Sequence, residues 1–149
     1  NNAYCQDNEI SWVDWTLAEK NADLLRFTQM MISLRKRYLA MTREEFVNRA
    51  TWHGTQIGDP DWTGETRTLA FQLHSWHSMP DLYVIFNAHW QWQEFALPAH
   101  DGQRNWRRLV DTRLPSPDDI VPDDQAVPLD PPSSYNMGPR SVAILISDV

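Results

Sequence analysis

Three carboxylates stand close together near the start of the chain: Asp7, Glu9 and Asp14. Two neighbouring carboxyl groups could work as a general acid and base. The same residues in a loop close Asx turns and cap helices. Their spacing supplies neither a cavity nor a partner, so the turn-and-cap reading carries more weight. His74-Ser75-Trp76-His77 presents two imidazoles without a third ligand at a known spacing, and surface histidines are expected there. Cys5 has no base beside it in sequence, so no nucleophile is expected. Trp90 and Trp92 could stack a sugar ring, but tryptophans in a central hairpin more often fill a core. Gly-rich phosphate loops are absent. The expectation from these residues is no catalytic group, no metal site and no cofactor.

The elements that must carry these residues are organised around Asp81–Pro98. Leu82 to Phe86 is an unbroken apolar run, too short for a globular helix, and predicts a strand buried on both faces. Asn87-Ala88-His89 tolerates a turn. Trp90 to Leu97 then predicts a returning strand, with Trp90 and Trp92 on one face and Gln91, Gln93, Phe95 and Leu97 on the other. Pro98 ends it. Further strands are expected over Thr68–His74, Trp106–Asp111 and Ser141–Ser147. Trp52-His53-Gly54 and Pro60 to Gly64 read as ordered loops. Pro115, Pro117, Pro122, Pro128, Pro131, Pro132 and Pro139 mark a long surface excursion of extended turns. Buried strand residues are expected at Leu82, Val84, Phe86, Ile144 and Ile146.

Before Thr51 the pattern is different. Residues 1–15 are polar, with two tryptophans, and read as a loop. From Asn21, a helix is expected to about Tyr38. Asn21 can cap it, Asp23 suits the positive end of its dipole, and Arg35, Lys36 and Arg37 suit the other end. Leu24, Phe27, Met31, Leu34 and Tyr38 form one apolar stripe that needs a partner surface. Thr42-Arg43-Glu44-Glu45 matches a capping box and predicts a short helix to about Asn48. Short strands separated by turn-rich loops make the chain mainly β, an antiparallel two-sheet sandwich over 51–149 preceded by a helical segment over 1–50.

The 149 residues, 42% of them hydrophobic, suffice for one core. The net charge of −7 argues against nucleic acid, which demands a Lys/Arg stripe; Arg104, Arg107 and Arg108 are only a local cluster. No apolar run approaches the ~18 residues of a bilayer span. One cysteine leaves no intrachain disulfide framework and fits a reducing, cytoplasmic compartment. The chain opens at Asn1 within a dense motif, and a piece of a longer protein is expected.

The block NNAYCQDNEISWVDW, followed by EKNADLLRFTQMMISLRKR, resembles the isoamylase and glycogen-debranching branch of the α-amylase superfamily. It is similar to the loop after the eighth strand and the eighth helix of that family's catalytic (β/α)8 barrel. TWHG, PDWTGETRTLAF, DLYVIFNAHW, FALP, WRRLVDTRLPSPDDI and PRSVAILI resemble, in order, its C-terminal all-β domain. The resemblance implies a parent glycoside hydrolase that cleaves α-1,6 branch links in α-glucans (glycogen, amylopectin, limit dextrin) with retention. The family's catalytic carboxylates lie on earlier barrel strands, and none of those motifs is in this sequence; the chain alone is therefore expected to be inactive. Loops after barrel strands face the active site, which implies Gln6, Asp7, Asn8 and Glu9 as contributors to the cleft rim. The helix stripe would pack on the missing barrel or, without it, on the chain's own sandwich or a second copy. Other readings are a carbohydrate-binding module that uses exposed Trp, and a structural or oligomerisation domain.

Overall fold

The computed structural model describes residues 4–38, 48–75, 79–99 and 105–148. Among the described residues, two α-helices precede eight strands: the helices are α1 (Thr16–Lys20) and α2 (Ala22–Arg37). The strands are β1 (Ala50–His53), β2 (Thr68–Leu73), β3 (Leu82–Asn87), β4 (Gln93–Ala96), β5 (Trp106–Asp111), β6 (Val127–Pro128), β7 (Ser134–Met137) and β8 (Ser141–Ser147). The larger sheet has the order β1-β2-β3-β8-β5-β6, and β4 pairs with β7 in a second, two-stranded sheet. All pairings are antiparallel.

Side-chain alternation assigns the two faces of the large sheet. Trp52, Phe71, Val84 and Ile144 stand side by side in register across β1, β2, β3 and β8. With Leu73, Leu82 and Ile146 they make one core, which α2 covers with Leu34 and Tyr38 and, less deeply, Phe27, Met30 and Met31. Ala70, Tyr83, Ile85, Ala143 and Leu145 point the other way, with Trp106 of β5, and meet Phe95, Leu97 and Met137 of the β4–β7 side. The molecule is thus a helix, a six-stranded sheet and a two-stranded sheet in three layers. The central strand β3 is buried on both faces, as its uninterrupted apolar run requires. A bulge at Leu109 lets both Leu109 and Val110 reach the helix-side core.

The helix is also held by charge. The guanidinium of Arg26 donates to the Asp119 carboxylate, to Ser116 Oγ at 3.2 Å and to the Ile120 carbonyl at 3.2 Å. Arg37 and the Tyr38 hydroxyl both donate to Asp123 Oδ2 at 2.7 Å. Burial, then the bond to Asp123, pushes the Tyr38 phenol above its ordinary range. The acidic, proline-rich stretch after β5 is therefore a bracket that receives the helix's cations.

Several sequence expectations are corrected. The hairpin centred on residues 81–98 does not form. The neighbours of β3 are β2 and β8, and the segment after it crosses to the second sheet. Buried Asn87 explains the diversion: its Nδ2 donates to the carbonyls of Gln91, Met137 and Gly138 at 2.8–3.2 Å, which ties the exit of β3 to the β7–β8 corner. The strand begins at Gln93, so Trp90 and Trp92 are not on it; both are 57% exposed and neither fills the core. Trp52 lies on β1 and not in a loop. The proline-rich excursion contains β7. Leu82, Val84, Ile144 and Ile146 are buried as expected, whereas Phe86 is 38% exposed, because α2 stops short of the Leu69–Phe86–Val142 row. Asn21 caps α2 with its backbone carbonyl, which accepts from Leu25 N–H at 3.0 Å, and not with its side chain. The stripe from Phe27 to Tyr38 finds its partner on the chain's own sheet, while Leu24 stays in solvent. The helix expected over 42–48 lies outside the described residues except for Asn48.

Candidate functional site

The N-terminal loop holds the polar residues singled out in the sequence. The Ser11 hydroxyl donates to the Gln6 carbonyl at 2.6 Å, and Asn8 Oδ1 accepts from Ile10 N–H at 3.0 Å. Asp7 accepts from the Trp12 indole at 2.7 Å. Asp14 accepts from both the amide and the hydroxyl of Thr16, at 3.0 and 2.6 Å, ahead of α1. Those bonds hold its carboxyl below the usual range. Gln6, Asp7, Asn8 and Glu9 thus share one compact loop, in which the side-chain bonds of Asp7, Asn8 and Ser11 reach at most five residues along the chain. Each carboxylate with a bond uses it to close a turn. Tyr4, Ile10, Trp12, Val13 and Trp15 all face solvent.

A second group of residues sits at the end of the sheet that α2 leaves open. Here Asp61 accepts from the Thr63 amide at 2.8 Å, the Thr63 hydroxyl at 2.6 Å and the Thr66 amide at 2.9 Å. These donors push its carboxyl far below the ordinary carboxylate range. The loop displays Trp62, 67% exposed, edge-on to Trp52 with ring centroids 5.5 Å apart. Arg67, in the left-handed region at φ 55°, closes the loop and lays its guanidinium 4.5 Å from the centre of the Trp90 ring. His89 stacks on the same indole at 4.4 Å. A depression of 350 Å³ runs between Trp62, Arg67, Leu69, Phe86 and Ala88. A neighbouring one of 370 Å³ continues past Phe86 and Ala88 to Val142, Arg140 and Thr112.

A third arrangement brings a hydroxyl, an imidazole and a carboxylate into line. Thr51 Oγ1 is 2.8 Å from His74 Nε2, and His74 Nδ1 is 3.5 Å from Asp81 Oδ2. Asp81 also accepts from Gln72 Nε2 at 2.9 Å and from Ser75 N–H at 2.8 Å. The set clamps β1 to the β2–β3 connection. His77 lies outside the described residues, and among the described residues no three His, Cys, Asp or Glu side chains are placed to hold a metal ion. Close by, His53 is buried; its Nδ1 accepts from Gly58 N–H at 2.8 Å. Burial, and then the nearby His74, pulls its pKa below the ordinary value. Gly54 makes the tight loop possible: a Cβ there would meet the Asp59 carbonyl at 2.2 Å.

None of these groups pairs a raised carboxyl with an ionised one across a cleft, the arrangement glycoside hydrolysis uses. Aromatic faces, an apolar floor and a polar rim can bind. The Trp62 loop was legible only in part. Asp61-Trp62-Thr63 announces a turn, but that β1 would bring Trp52 beneath it depended on strand pairing.

Residues 51–137 match the family model described as the C-terminal domain of isoamylases 1–3. The chain is 36% identical over 126 residues to the chloroplastic isoamylase 1 of Oryza sativa subsp. japonica, covering 83% of itself and 15% of that protein. It is 36% identical over 90 residues to the glycogen debranching enzyme of Enterobacter sp., covering 60% of itself and 12% of that protein. Among solved structures it resembles the pullulanase from Bacillus acidopullulyticus with a TM-score of 0.62 at 20% identity, over 89% of this chain and 15% of that one. That likeness establishes a shared β-sandwich fold. Among the described residues no helix is long and apolar enough to cross a membrane.

Proposed function

Because the chain belongs to the isoamylase C-terminal domain family, we propose that it is the C-terminal part of a debranching glycoside hydrolase. That parent cleaves α-1,6 branch links of an α-glucan such as glycogen, amylopectin or limit dextrin, with retention. Residues 1–50 end its catalytic barrel and residues 51–149 form the sandwich that supports it. The reactive carboxylates belong to the parent's catalytic domain, so the chain by itself is inactive. Gln6, Asp7, Asn8 and Glu9 form part of the cleft rim. The plant relative is chloroplastic by name; for this chain, with its single cysteine, we propose the cytoplasm.

The observation that carries this reading is the two-sidedness of the N-terminal segment. The inner face of α2 is fastened to the sheet by Leu34, Tyr38 and Arg26. Outward, Trp12, Trp15, Leu24, Leu25 and Ile32 stand in solvent. So many large apolar side chains within thirty residues mark a contact surface. A catalytic domain joined ahead of Asn1 is the partner that fits it. Left uncovered, the same surface drives self-association of the chain. Release of reducing ends from pullulan and amylopectin tests the proposal: the parent is active and the pure 149-residue chain is indistinguishable from buffer. Activity of the chain alone, or an inactive parent, overturns it. Sedimentation at several concentrations is expected to show association; a strict monomer removes that element.

A further inference from the structure

We infer that the trough running from Trp62 past Phe86 to Arg140 is a second α-glucan-binding site, separate from the catalytic cleft of the parent. The inference rests on the debranching reading for its choice of glucan. Its geometry stands independently. The trough is elongated, because its two depressions share Phe86 and Ala88 and cross the ends of β2, β3 and β8. At the usual strand spacing, that crossing covers roughly 10 Å between the outer strands. Such a shape suits a chain of linked rings better than a compact ligand.

The chemistry of the walls selects among chain-like ligands. Its floor is apolar, from Leu69, Phe86 and Val142, and fits the C–H face of a pyranose. Trp62 adds a large aromatic surface at one end and is held ready: three donors fix Asp61, so the loop is ordered before anything binds. Arg67 at the base of the loop holds a left-handed backbone that non-glycine residues seldom adopt. Such conformations concentrate at ligand clamps. The rim offers Asp61 against Arg67 and Arg140. These groups provide donors and acceptors for hydroxyl groups beside an apolar floor, which fits a neutral, polyhydroxylated ligand. A nucleic acid or an acidic polysaccharide is disfavoured by the chain's net charge of −7.

Calorimetric titration of the 149-residue chain with maltoheptaose, and with the β-linked cellohexaose as control, tests the site. Maltoheptaose is expected to bind and cellohexaose to bind more weakly or not at all. Trp62→Ala is expected to weaken maltoheptaose binding about tenfold or more, the loss typical of an aromatic anchor. Arg67→Gln should weaken it by a smaller factor. Both side chains are exposed, and an unchanged thermal midpoint identifies variants that remain folded. In the parent, Trp62→Ala is expected to reduce adsorption to insoluble starch and to leave hydrolysis of a small soluble branched substrate unchanged. Failure of maltoheptaose to bind, or equal binding by Trp62→Ala, overturns the site. So does a parent whose adsorption ignores Trp62, for then the catalytic domain covers the trough. A parent that adsorbs through Trp62 but hydrolyses no branch links leaves the site standing and removes the debranching reading.

Discussion

The tripeptide Asp-Trp-Thr occurs twice, at residues 14–16 and 61–63, and the two copies make the same local structure. In each, the carboxylate takes both the amide and the hydroxyl of the threonine two residues on. In each, the tryptophan between them is thrust outward, 79% exposed at Trp15 and 67% at Trp62. The surroundings differ. The first copy leads into α1, a five-residue helix that buries nothing. The second stands over a six-stranded sheet, where Trp62 meets Trp52 and Trp52 meets Phe71 at 5.3 Å. Hydrogen bonds between near neighbours decide which way an indole points. Long-range strand pairing decides whether it has a surface to work with.

The largest way to break this comparison is to loosen the seat of the second copy while sparing the first. Asn87 joins β3 to the β7–β8 corner through the Met137 and Gly138 carbonyls, donates locally to the Gln91 carbonyl and accepts from His89 N–H at 3.0 Å. Asn87→Ala leaves those buried groups without a donor and should cost about 3 kcal/mol. Urea unfolding measures it. Amide exchange should show Thr63 and Thr66 losing protection while Thr16 does not change. A loss below about 1 kcal/mol would mean water replaces the side chain without penalty.

A somewhat smaller effect is expected where the N-terminal segment is fastened to the sheet. Arg26→Ala removes the bonds to Asp119, Ser116 and the Ile120 carbonyl and should cost about 2 kcal/mol. Exchange should accelerate along α2 and hardly at all in β3. Acceleration spread evenly over both would show that helix and sheet unfold only as one.

Acid should act on the sheet side first, through His53. Its folded pKa is depressed by burial, so the unfolded chain binds the extra proton more readily. Stability on this account is complete above the unfolded value and declines as pH falls from about 6.5 toward the lower folded value. One such group contributes a slope of at most about 1.4 kcal/mol per pH unit. His53→Gln should flatten the urea midpoint between pH 7 and 5; an unchanged slope would assign the titration elsewhere.

The strands β3 and β8 were legible from unbroken apolar runs, β2 from the alternation of Leu69, Phe71 and Leu73, and β5 from Leu109 and Val110 after Trp106. The stripe on α2 was legible from its spacing, though not its partner: nothing local in Phe27 or Leu34 says whether the matching surface is nearby in the same chain. The false hairpin at 81–98 has the same origin. Its sequence pattern is compatible with β4 returning beside β3. What prevents it is β8, sixty residues on, which claims that edge, together with a buried asparagine whose partners lie at residues 137 and 138. Trp90 and Trp92 were assigned to the core because of that hairpin and are surface residues without it. Asp61 and Thr63 could be read as a turn. The trough beside them could not, because it is made of the ends of three strands.

The smallest effect sharpens the comparison most directly, since it concerns the two aspartates alone. Asp14 accepts two bonds, both from Thr16, whereas Asp61 accepts two from Thr63 and a third on its other oxygen from Thr66. Each donor stabilises the ionised form, so both folded pKa values lie below the ordinary one, and that of Asp61 is displaced further. A depressed carboxylate keeps its stabilising bonds above its unfolded pKa and loses them as pH falls through its folded pKa. On acidification below pH 4, about the unfolded value, the Asp14 turn should therefore open first and the Asp61 loop later. Titration of the two side-chain carboxyl carbons by NMR reads the order. Thr66→Pro, which removes the Thr66 amide together with its hydroxyl and leaves both Thr63 bonds in place, should move the Asp61 midpoint up toward that of Asp14. If Asp61 titrates with or above Asp14 in the unaltered chain, the extra bond is not formed in solution, and the loop that displays Trp62 is no better ordered than the one that displays Trp15.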